Sequence, residues 1–150
     1  MGIFSESTEN KFNDLLEKAY DAEKGFKKAA ENVENSSLQR FFNQKAEERQ
    51  VFRSELRNEL RSNGLEINEE DGSVAGTIHR AWMDTKAFFS FDNEESMLEE
   101  VRNGEKAALE DYEDLLEDNN LPTSTVNVLR KQRNAIESSY NRADYLEDIR

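Results

Sequence analysis

The sequence predicts an all-α fold, a ferritin-like four-helix bundle with a long crossover between helices two and three that carries a short extra helix. Three observations carry that expectation. One Pro and six Gly in 150 residues leave little to punctuate long helices. Apolar residues recur at steps of three and four along four separate stretches, the spacing of one helical face. Between the second and third stretches lie about thirty residues, enough to let helix three run parallel to helix two.

The first helix starts near Thr8 or Glu9, so residues 1–8 read as a tail and 9–150 as a single domain. Phe12, Leu16, Ala19, Glu23, Phe26, Ala30 and Val33 form one unbroken stripe, and the helix stops near Asn35. Asn35-Ser36-Ser37 makes a turn, and Ser36 with Gln39 three residues on is a capping-box start for helix two. Leu38, Phe41, Phe42, Phe52, Leu56 and Leu60 give that helix its apolar residues. It ends at Ser62-Asn63-Gly64, with Gly64 just past the last turn. The polar, acidic run from Gly64 to Gly72 is a connection, and a short helix follows from Ser73 to Phe89. It holds Ile78, Ala81, Trp82 and Phe89, and the cluster Phe88, Phe89 and Phe91 is expected to roof the core. Asp92 with Glu95 caps helix three. Leu98, Val101, Glu105, Ala108, Tyr112 and Leu115 then step three, four, three, four, three, and the helix runs to about Asp118. Asn119-Asn120-Leu121-Pro122 terminates it. Thr123 or Ser124 caps helix four, with Leu129, Ile136, Tyr140 and Ala143 inside.

Composition narrows function without naming it. Thirty-three acids against twenty bases leave a net charge of -13, which argues against a nucleic-acid or anionic-membrane surface. No Cys means no disulfide, thiolate nucleophile or Cys-based metal site. No run approaches the ~18 apolar residues that span a bilayer. The first residues lack a basic n-region and an apolar h-region, and Glu6 stands where a myristoylation motif has Ser or Thr. A cytoplasmic protein is the expectation. Leu, Ile, Val and Phe make roughly a fifth of the chain, near the ~20% below which highly charged chains stay unfolded. Folding therefore rests on spacing. Neither GxxxxGK[ST] nor GxGxxG occurs, and no Ser has a sequence signal for a neighbouring base.

Three glutamates are out of place on apolar faces. Glu23 lies between Ala19 and Phe26, Glu105 between Val101 and Ala108, and Glu48 four residues before Phe52. Glutamates converging from several helices are how carboxylate di-iron and di-manganese bundles build their centre, with two Glu-x-x-His pairs. Here Val51 stands three residues after Glu48, and Tyr140 three after Glu137. The one histidine, His79, lies in the crossover helix, and it or Glu137 would complete a set of Glu23, Glu48 and Glu105 on iron or manganese. The competing reading pairs these glutamates with inward-reaching Lys45, Arg49 or Arg133. In the first reading the carboxylates share one centre, where like charges need a proton or a metal. In the second each is matched to a base or to water.

Phe41-Phe42-Asn-Gln-Lys-Ala-Glu-Glu48-Arg-Gln-Val-Phe52-Arg-Ser-Glu-Leu56 resembles helix two of a bacterial family of uncharacterised four-helix-bundle proteins. His79-Arg-Ala-Trp82-Met-Asp84, followed by Leu98-Glu-Glu-Val-Arg-Asn-Gly104-Glu105-Lys-Ala-Ala and Tyr112-Glu, resembles that family's most recognisable pattern. The likeness runs from about Phe12 to Asp118 and more loosely through the last helix. It implies a ferritin-like bundle and an inherited metal centre, with no activity attached to the family as a whole. Where relatives often have Glu before the Gly-aromatic pair, this chain has Lys24 before Gly25-Phe26. Where they often have His near the end of helix four, Tyr140 stands. Both changes remove candidate ligands. The leading expectation is a non-catalytic cytoplasmic bundle, stress-related or self-associating as a homodimer. The alternative is a carboxylate-bridged di-iron or di-manganese protein that oxidises Fe(II) or reacts with oxygen or peroxide.

Overall fold

The computed structural model describes residues 4–65 and 94–148, the side chains of 94–97 and 142–148 excepted. Four helices account for most of them: α1 (Glu6–Asn32), α2 (Ser36–Ser62), α3 (Glu94–Leu116) and α4 (Thr123–Asp148), with no strand among the described residues. The expected crossover helix with His79, Trp82, Phe88, Phe89 and Phe91, and the Asp92 cap, lie outside the described residues.

The helix ends differ from the expected ones for local reasons. α1 begins at Glu6 because Ser5 caps it, its hydroxyl accepting the Thr8 backbone N–H at 3.1 Å. Phe4 is buried against Phe12, ring centroids 5.2 Å apart, so residues 4–8 belong to the fold and not to a tail. α1 stops at Asn32 because Asn35 is needed as the cap of α2. Its side-chain oxygen accepts from Ser37 N at 2.8 Å and Leu38 N at 3.1 Å. The carboxamide thus takes the role expected of Ser36, and Gln39 donates instead to the Val33 carbonyl at 2.8 Å. Past α2, Gly64 has φ 89°, a left-handed backbone that disfavours any side chain. There Gly64 N–H reaches Arg61 O and Leu65 N–H reaches Leu60 O, and Leu65 folds back into the cluster that holds Leu60. α3 ends at Leu116, two residues early, where Glu117 and Asp118 bond to Asp114 and Leu115 carbonyls in a tighter turn. α4 takes its first backbone bond from Val126 N–H to the carbonyl of Pro122, which has no N–H to lose.

Helix directions follow from the pairs that bridge them. Short turns make α1 antiparallel to α2, and α3 to α4. Between α2 and α4, Glu59 accepts from Ser124 and Thr125, Glu55 from Lys131, and Lys45 donates to Ser139, which is an antiparallel order. Between α1 and α3, Thr8 meets Asp118, Lys11 meets Asp114 and Lys18 meets Asp111, again antiparallel. Hence α2 and α3 run parallel. Packing is extensive along α1–α2 and α3–α4, shorter along α2–α4, and thin along α1–α3.

The core is divided. One apolar cluster gathers Phe26, Leu38, Phe41, Phe42, Leu98 and Val101 at the end where α1 turns into α2. A second gathers Phe12, Phe52, Leu56, Leu60, Leu129 and Ile136 toward the other end. Between them the same helix faces carry charge.

Candidate functional site

On α2 the inner face passes through 38, 42, 45, 49, 52, 56 and 60, a run of threes and fours that never loses phase. Two of those positions are Lys45 and Arg49, and both are buried. α3 brings Glu105 to the same level, only 1% exposed. Lys45 Nζ bonds Glu48 and the Ser139 hydroxyl, and stands 3.2 Å from Glu105 Oε2. Arg49 Nη2 bonds Glu105 Oε1, and its Nη1 lies 3.5 Å from Glu48 Oε1. The Arg49 guanidinium also sits over the rings of Phe26 and Phe52, at 5.7 and 5.9 Å. Two cations and two carboxylates therefore close on one another inside the bundle. Removing a single partner from such a group exposes the remaining charge to a low-dielectric surrounding, at a cost of about 3–5 kcal/mol.

The five sequence candidates separate. Glu48 and Glu105 are brought together, but through shared cations. Glu23, buried on α1, pairs with Arg53 at 3.3 Å and with Lys27 at 3.2 Å one turn along its own helix. Glu137 is on the surface, bonded to Arg133 at 3.3 Å, and Arg133 also holds Glu113 at 2.8 Å. His79 lies outside the described residues. Among the described residues no group of three or more His, Asp and Glu side chains could hold a metal ion. Glu23, Glu48 and Glu105 each lie within ion-pair distance of a Lys or an Arg. Lys45, Arg49 and Arg133 are the bases that the competing reading named.

Residues that an apolar stripe does not reveal complete the layer. α4 turns Thr125, Leu129, Gln132, Ile136 and Ser139 inward, so three of its buried positions are polar. Gln132, fully buried, accepts the Tyr112 hydroxyl at 2.6 Å and donates to the Phe52 carbonyl at 3.1 Å. Burial pushes the Tyr112 hydroxyl well above the usual phenol range, so it is a fixed donor and not a base. Tyr140, expected inside, instead lies half-buried beneath Arg102, whose guanidinium is 5.0 Å from the ring centroid.

Beside this layer, in the thin α1–α3 seam, lies a cavity of about 360 Å³. Ala19 and Ala22 of α1 and Gly104, Ala107 and Ala108 of α3 wall it, and Arg49 and Ile136 reach it from the other two helices.

The chain belongs to the family described as Domain of unknown function (DUF2383), which matches residues 7–118. The match takes in α1, α2 and α3 with Glu23, Lys45, Glu48, Arg49 and Glu105, while Gln132 and Ser139 of α4 lie beyond it. No curated protein matches the chain.

Proposed function

We propose, from membership of that family as a premise, that the protein is a non-catalytic, ferritin-like four-helix bundle of the cytoplasm. In this reading ion pairs occupy the level of the core where a carboxylate-bridged metal pair would otherwise be held. One observation carries it: Lys45 and Arg49 reach into the bundle and neutralise Glu48 and Glu105. A di-metal bundle needs carboxylates free to bind and two Glu-x-x-His pairs. Val51 and Tyr140 stand at the histidine positions after Glu48 and Glu137. The parallel course of α2 and α3 supports the ferritin-like assignment, since a long connection is what permits it.

Such a bundle acts through what it binds or packs against, not through turnover. Its charge of -13 speaks against nucleic acid as a partner, and no described helix is long and apolar enough to cross a membrane. A homodimer is the simplest self-association, confined by that charge to a defined patch. Metal content tests the proposal, measured by elemental mass spectrometry on untagged protein before and after anaerobic Fe(II) or Mn(II) loading and desalting. The expected result is no retained metal. About two retained ions per chain, lost in both Glu23→Ala and Glu105→Ala with helicity intact, would establish the di-metal alternative instead.

A further inference from the structure

We draw no further inference here: the strongest candidate, the cavity in the α1–α3 seam, is walled by a stripe of small residues that by itself names no ligand, and nothing in the structure shows what covers it.

Discussion

At Phe42, α2 meets α1 through the ring of Phe26, stacked at 6.3 Å, with Phe41 of α2 itself edge-on at 5.4 Å, in a cluster with Leu98 and Val101. Two turns further along the same face, at Arg49, it meets α3 through a guanidinium and the carboxylate of Glu105. Both levels are buried, and both lie on faces with unbroken helical periodicity. What differs is how each tolerates change. Apolar burial is non-directional and scales with area, about 25 cal/mol per Å². A buried charge is worth only what its partner makes of it. The apolar ends can therefore lose atoms by degrees, whereas the charged middle fails or holds as a unit.

The sharpest way to break that comparison is Glu105→Leu, which leaves Lys45 and Arg49, two buried cations, to share the one carboxylate of Glu48. The expected loss is about 5 kcal/mol by urea denaturation, at the upper end for a broken buried pair. Phe42→Ala comes next, at about 4 kcal/mol, through lost burial and the cavity left between the rings of Phe26 and Phe41.

The smallest effect tests the periphery. The backbone N–H of Asn120 and then the Thr8 hydroxyl hold the Asp118 carboxyl below the usual carboxylate range. A lowered folded value means stability that is present above the unfolded pKa of ~3.9 and lost as pH falls through the folded one. Asp118→Asn should therefore cost less than about 1 kcal/mol at pH 6, and the gap to the unmodified protein should narrow at pH 3. A gap that widens on acidification would contradict the assigned hydrogen bonds.

Much of this was legible in the residues, and the exceptions have physical causes. The stripes of α1 and α3, the Gly64 stop and the misplaced Glu23 and Glu105 all follow from local spacing. Lys45 and Arg49 were named as bases, yet an apolar count leaps from Phe42 to Phe52 and passes over them. The signal was there, because steps of three and four run straight through both. Thr125, Gln132 and Ser139 were harder. Each is buried only because a partner arrives from α2 or α3, a fact that no window on α4 contains. The caps missed by a residue or more because Ser5, Asn35 and Ser36 are all competent, and neighbouring packing chooses among them. The cavity depends on how far apart α1 and α3 settle, which the small residues at 19, 22, 104 and 107 allow but do not dictate.

The central claim is that the bundle's middle is closed by its own cations, and a double-mutant cycle on Arg49 and Glu105 tests it most directly. Arg49→Met, Glu105→Leu and the double variant are compared by urea unfolding at pH 7. The account predicts strong coupling, with the double variant more stable than Glu105→Leu alone and an interaction energy of about 2–3 kcal/mol. Losses that add to within about 0.5 kcal/mol would show that the two side chains do not depend on each other, and the claim would fall.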